Sequence, residues 1–361
     1  MRSGCMGWVG RKTLNFSIML QCDGGVCALC LDMRRRQLLV GLVACAGLVR
    51  AQSPAPRGIV GYLGPSAETA PKLLAAFKEG LAAQGYVPGR DLVVEYRWTN
   101  AGTRMNDEAT LVASAREFVA KKADVIVASI DPAIFAVRKV AGSTPIVMLN
   151  ASDPVGLGFV ASLAHPGGNV TGLTNQSADL LEKKLQVLLE VMPGARRVAM
   201  LVSGPGKLRE DTIARAGAMA SSRGVALQVV EATTAPALDN AFAAMKRERA
   251  EALLVADTGG GVFFTERARL TELALAHRVP AMFANAELVE AGGLMSYAPD
   301  SVENYRRAAV FIDRILRGVK PGDIPVEQPT KFELAVNMKT AKALNITFPP
   351  ALLLRVDRRI E

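Results

Sequence analysis

Side chains able to act as nucleophile, base or metal ligand are few in this chain and oddly placed. Its two histidines are His165, ahead of the turn residues Pro166-Gly167-Gly168, and His277, at the end of a helical segment. The first suits a solvated or hinge-packing imidazole, and the second a cation at the negative end of a helix dipole. All five cysteines fall within the first 45 residues. Cys22, Cys27 and Cys30 match no zinc spacing, and no histidine lies near them. No His, Cys, Asp or Glu cluster has metal-ligand spacing. The glycines of Gly58-Ile59-Val60-Gly61-Tyr62-Leu63-Gly64 are spaced three and three, so they do not make the dinucleotide fingerprint. Ser203-Gly204-Pro205-Gly206-Lys207 lacks both the first glycine of a phosphate loop and the hydroxyl residue after its lysine. Gly259-Gly260-Gly261 fits a mobile loop better than a phosphate cradle. The expectation is a protein without a catalytic set, a metal or a cofactor.

A different chemistry is better supplied. Polar residues follow several apolar runs: Ser66; Ser129 with Asp131; Asn150, Ser152 and Asp153; then Ser203, Asp257 and Thr258. The carboxyl ends of strands in open α/β sheets are where ligands bind. Hydroxyls, carboxylates and helix N-termini gathered there suit a small polar molecule, with a preference for an anionic group at the helix ends. Ser66 and Asp131 would serve equally well as helix caps.

The elements that must position these groups alternate short β-branched runs with segments of helical period, the pattern of βαβ units. Ile59 to Leu63 predicts a strand and Ala67 to Gln84 a helix with Leu73, Phe77 and Leu81 on one stripe, closed by Gly85. Strands follow at Leu92–Trp98, Asp124–Ala128 and Pro145–Leu149. After the turn-rich His165-Pro166-Gly167-Gly168-Asn169 the series starts again, with strands at Val198–Val202, Leu227–Val230, Ala252–Ala256 and Ala281–Phe283. A helix over Val302–Leu316 has apolar spacings of 3, 4, 3 and 4, and a strand pair is expected within Val326–Val336. The fold class is α/β with two lobes. They are expected over residues 57–166 with 285–322, and 170–284 with 326–361, so that the chain crosses between lobes at a hinge.

Residues 33–51 read as a secretory signal: Met33-Arg34-Arg35-Arg36, an apolar run of 12 residues from Leu38 to Val49, and a small residue at Ala51. A spanning helix needs roughly 20 residues. Residues 1–32 show no sustained period and are read as an extension from a mis-set start codon. Leu42-Val43-Ala44-Cys45 resembles a lipoprotein box, which would attach lipid at Cys45, but ordinary cleavage after Ala51 fits the run better. Of the formal charge of +9, residues 1–51 carry seven Lys or Arg against Asp23 and Asp32, leaving +4. That charge is spread along the chain, which argues against a nucleic-acid partner. Lys183-Lys184 and Arg306-Arg307 read as solvated helix faces. Tyr62, Phe135, Phe159, Tyr297 and Tyr305 read as core rather than as ligand-stacking aromatics.

Longer phrases carry a family resemblance. Ala151-Ser152-Asp153-Pro154-Val155-Gly156-Leu157-Gly158-Phe159-Val160, Ser162-Leu163-Ala164-His165-Pro166-Gly167-Gly168-Asn169-Val170-Thr171-Gly172, Gln84-Gly85-Tyr86-Val87-Pro88-Gly89 and Lys331-Phe332-Glu333-Leu334-Ala335-Val336-Asn337 resemble the ABC transporter substrate-binding proteins of the tryptophan and tyrosine uptake type. The resemblance implies a type I periplasmic-binding fold: two Rossmann-like lobes with parallel sheets, joined by three hinge crossovers and closing around a small ligand. It implies ligand contacts at Pro65, Ser66, Ser129, Ile130, Asp131, Asp153, Asp257, Thr258 and Glu287. Where relatives tend to carry Asn and Val after the equivalent of Asp257-Thr258, this chain has Gly259-Gly260-Gly261. The expected role is the periplasmic, monomeric solute-binding component of an ABC importer, working with an inner-membrane permease. A periplasmic sensor of the same fold is the alternative, and an α/β enzyme a more distant one.

Overall fold

The computed structural model describes residues 58–361 apart from 88, 100–106, 176, 204–206 and 257–260. The signal at 33–51, the preceding extension, Asp257, Thr258, Gly259, Gly260 and the Gly204–Gly206 loop therefore lie outside the described residues.

The first lobe is built on five parallel strands in the order β2-β1-β3-β4-β5. They are β1 (Ile59–Gly64), β2 (Val93–Trp98), β3 (Val125–Ala128), β4 (Ile146–Ala151) and β5 (Val170–Thr174). Side chains alternate between sheet faces, and the two faces bury separate cores. Val60, Tyr62, Val125, Val127 and Leu149 pack beneath helices α1 (Pro71–Ala83) and α10 (Ser301–Leu316). Ile126, Ala128, Ile146 and Met148 pack against α2 (Glu108–Ala120) and α3 (Asp131–Val140). Burial on both faces explains why these strands read as nearly continuous apolar runs. Pro71 opens α1, where its missing N–H costs nothing. Gly85, at φ 82°, ends it as the sequence predicts, and Tyr86 N then donates back to Leu81 O at 3.0 Å.

The second lobe has seven strands in the order β12-β11-β10-β9-β8-β6-β7. These are β6 (Arg197–Val202), β7 (Ala226–Glu231), β8 (Ala252–Ala256), β9 (Ala281–Phe283), β10 (Met295–Pro299), β11 (Phe332–Asn337) and β12 (Arg358–Ile360). Only β10 and β11 run antiparallel to each other. One face packs on α4 (Ser177–Val191) and α5 (Lys207–Ser222), the other on α6 (Ala235–Arg247), the single turn α7 (Val262–Thr265) and α8 (Arg267–Ala276). The short helices α9 (Ala286–Glu290), α11 (Met338–Leu344) and α12 (Pro350–Leu353) complete the lobe.

The sheets move the expected lobe boundaries. Residues 170–174 stay with the first lobe as edge strand β5, paired with β4, and residues 286–299 belong to the second through α9 and β10. The physical reason is hydrogen bonding: Ile146 N donates to Asn169 O at 2.8 Å, so the turn at 165–169 feeds a strand back into the same sheet. The chain crosses between lobes after Thr174, at Pro299-Asp300 and after Ile324. The last crossover is held to β5 by Glu327 N donating to Gly172 O and Thr174 N donating to Glu327 O, at 2.9 and 3.1 Å. The expected strand pair within 326–336 is one strand, β11, plus an isolated bridge between Glu327 and Leu173.

Candidate functional site

Both sheets direct strand ends at a cleft enclosing a cavity of about 200 Å³. From the first lobe, Ser129, Ile130 and Asp131 reach it at the end of β3, and Asn150 and Ser152 at the end of β4. Pro65 and Thr69 border it beyond β1. The second lobe contributes Lys184 of α4, Ala256 at the end of β8, Phe264 of α7, and Asn285 and Glu287 around the start of α9.

Asp131 is the organising group of the first-lobe wall. It is buried, and its carboxylate accepts from Ser152 N at 3.1 Å and Ser152 Oγ at 2.5 Å. Those contacts tie the ends of neighbouring strands β3 and β4 together. Capping was the competing role, but the N-cap position of α3 is Ile130, which makes no side-chain cap bond. Ser66 sits one residue behind the wall, its hydroxyl facing Thr69 Oγ1 at 3.2 Å within its own turn. Asp153 likewise serves its own turn, Oδ1 accepting from Gly156 N at 2.8 Å. Neither Ser66 nor Asp153 lines the cavity as the structure stands.

Ser129 and Tyr305 meet on the floor. Ser129 Oγ is fully buried and has no hydrogen bond of good geometry among the described residues, although it stands close enough to the Tyr305 phenol to influence its ionisation. A buried hydroxyl left open toward a cavity costs stability unless something occupies it. The Tyr305 hydroxyl is pushed well above its ordinary value by burial, opposed by Ser129 and reinforced by the charge of Glu287, so it stays protonated. Asn304, beside it on α10, donates to Asn150 Oδ1 at 2.9 Å and fixes that side chain at the end of β4.

Glu287 stands in the first turn of α9, whose cap is Asn285, with Oδ1 accepting from Leu288 N at 3.4 Å. Burial raises its carboxyl above the usual range. Its own backbone N–H and Arg358 oppose the rise, while Glu290 and Asp300 add to it. An acid whose folded-state value is raised favours the native state while protonated, and that stability is lost as pH climbs from the ordinary value of 4.5 through the raised one. A cationic ligand group binds the ionised form better, so affinity for it is expected to strengthen over the same window. Glu287→Gln should flatten that pH dependence of Kd in calorimetry, and an unchanged slope would remove Glu287 from the ligand's charged end.

Sequence reasoning missed several of these residues. Lys184 was expected on a solvated face, yet the residue is 5% exposed and its Nζ donates to Ala284 O at 3.3 Å, just past β9. The reason is that α4 follows the first crossover and lies along the cleft. Tyr305 is core by its 3-4 spacing and lines the cavity as well. Thr99, Asn175, Phe264 and Asn285 sit at strand or helix ends with no distinguishing pattern; for Phe264, the preceding glycines were the available signal.

Two α/β lobes closing polar strand ends over one small cavity define a solute-binding protein of the type I periplasmic-binding arrangement. The chain belongs to the ABC transporter substrate binding protein family, whose sequence profile matches residues 66–360. Among individual proteins it is similar to a tyrosine-binding protein of Clostridioides difficile, with 25% identity over 287 residues and 78% of each chain covered. A conserved domain protein of Vibrio cholerae has a solved structure that matches with a TM-score of 0.75 at 25% identity, over 84% of this chain and 99% of that one. An ABC domain from Streptococcus pneumonia in complex with L-Trp matches with a TM-score of 0.73 at 21% identity, over 84% and 100%. The protein is thus a solute-binding component that captures a small-molecule ligand for an ABC permease, in a family of binding proteins rather than enzymes.

Proposed function

We propose that the ligand is an α-amino acid with an apolar or aromatic side chain, captured in the periplasm by a monomeric protein exported through the signal at 33–51. The observation that carries this reading is the division of the cavity. Carboxylates of Asp131 and Glu287, the open Ser129 hydroxyl and the buried Lys184 supply groups of both charge signs, while Leu73, Leu180, Leu181 and Phe264 supply an apolar wall. A zwitterion with an apolar tail fits that division, and a sugar does not use it. The names of two relatives, one binding tyrosine and one solved with L-Trp, support the same class. In this reading Pro65, Ser129, Ile130, Asp131 and Glu287 contact the ligand directly. Ser66 and Asp153 support or join the first-lobe wall, and Asp257-Thr258 completes the second. Cleavage after Ala51 rather than lipidation at Cys45 releases the protein into the periplasm.

The test is a thermal-shift and calorimetric screen of the chain from residue 52 against the amino acids, aromatic carboxylic acids and pentoses. Micromolar binding of at least one apolar or aromatic amino acid is expected, about −8 kcal/mol. Stabilisation by sugars alone, or by no amino acid in a cooperatively folding sample, would overturn the assignment.

A further inference from the structure

We propose that Phe264 is the residue through which this protein reads the apolar part of its ligand, because closing the lobes is what completes its site. The inference rests on the amino-acid reading above. Phe264 belongs to the second lobe, yet its ring packs against the apolar cluster of the first, which includes Leu73 and Tyr305. Its neighbour Phe263 is fully buried in the second lobe's own core. Successive residues of a helical turn point about 100° apart, so one aromatic anchors the turn while the next is presented across the cleft.

The local backbone is built for this. Gly261 enters the turn at φ 69°, a left-handed conformation that a side chain disfavours. Phe264 N and Thr265 N both donate to Gly261 O, at 3.2 and 3.3 Å. Arg267 then holds the aromatic in place: its guanidinium lies 5.1 Å from the ring centroid, and its NH1 donates to Phe264 O at 2.9 Å. Leu73, Phe264 and Tyr305 together line the cavity. A ligand's apolar group lying between the lobes meets a wall formed by Leu73 and Tyr305 of the first lobe and by Phe264 of the opposite lobe. Nearby, Lys72 Nζ meets Glu290 Oε1 at 2.8 Å across the same lobes, but with side chains 63% and 30% exposed that pair carries little energy by itself. The ring contact is the one that senses ligand shape.

Two measurements on the chain from residue 52 test this with wild type, Phe264→Leu and Phe264→Ala. The first is calorimetry with L-tryptophan, L-tyrosine, L-leucine and L-alanine. Phe264→Ala should lose at least about tenfold in affinity for the bulky ligands and much less for L-alanine, with Phe264→Leu in between. Equal loss across the panel, or no loss, would overturn the proposal. The second needs no ligand: residues 58–361 contain no cysteine, so Ala82→Cys and Ala243→Cys, one on each lobe, accept a fluorescent pair. Phe264→Ala should lower transfer efficiency in the empty protein as the lobes spread, and unchanged efficiency would overturn the lobe contact. If wild type binds none of the four amino acids, the amino-acid reading fails, and this second measurement still decides whether Phe264 is the closing contact.

Discussion

Asp131→Ala is expected to melt roughly 5–10 °C below the parent protein and to bind its ligand on the order of 100-fold more weakly. The carboxylate accepts two hydrogen bonds from Ser152 in a buried setting. Bonds to a charged acceptor are worth about 1.5–3 kcal/mol each, and relief of the buried charge offsets part of their loss, leaving about 2–4 kcal/mol. Stability alone does not account for the affinity loss. The same side chain fixes the ends of β3 and β4, where Ser129, Asn150 and Ser152 present their polar atoms. Asp131→Asn separates the two effects: its amide oxygen still accepts from Ser152 N, and the Ser152 hydroxyl can turn to accept from the amide nitrogen. Near-parental melting with weakened binding is therefore expected for Asn, and both losses for Ala, by differential scanning calorimetry and titration. If Asp131→Ala bound ligand as tightly as wild type while melting early, the residue would be a strand tie and nothing more.

How far the sequence reached can be seen at single positions. Val125 to Ala128 is buried on both faces, so it reads as a strand in any context, and the polar group expected at its end, Ser129-Ile130-Asp131, lines the cavity. Val170-Thr171-Gly172-Leu173-Thr174 forms a strand just as firmly, but two threonines and a glycine behind a Pro-Gly-Gly turn give no apolar run. Its strand character comes from β4 alongside and from the crossover at Glu327. Arg358–Ile360 is three residues with two arginines, and only pairing with β11 makes it a strand. The same limit applies to the site. A residue that reaches the cleft from the end of its own strand is legible, because the strand is. Lys184 on α4 and Phe264 on α7 reach it only because one lobe folds over the other, and side-chain period within a helix says nothing about which neighbour lies across a cleft. Asp153 shows the converse: the Asp153-Pro154-Val155-Gly156 phrase carries part of the family resemblance, yet the carboxylate closes a local turn in this structure.

Gly80→Ala is expected to destabilise the protein by about 2 kcal/mol net, against the usual trend for such a change. In the middle of an exposed helix, replacing glycine by alanine stabilises by about 1 kcal/mol. Gly80 is buried in α1 where α10 crosses it, and a Cβ there would stand 2.2 Å from Arg306 O. That neighbour is backbone, so no rotamer change relieves the contact, and the helices must separate. Overpacking of this kind typically costs 1–3 kcal/mol and sometimes more, which outweighs the helix-propensity gain. The displaced segment is the part of α10 that carries Asn304 and Tyr305, so the Asn150 tether and the cavity floor move with it. Reduced ligand affinity should therefore accompany the lower melting temperature, although the substitution lies outside the cleft. Gly80→Leu should abolish cooperative folding of the first lobe. At Gly194, where an added Cβ meets no atom within 4 Å, alanine should leave both melting and affinity unchanged. A Gly80→Ala protein as stable as its parent would show that the α1 and α10 crossing yields, and that the cavity floor is not held by helix contact.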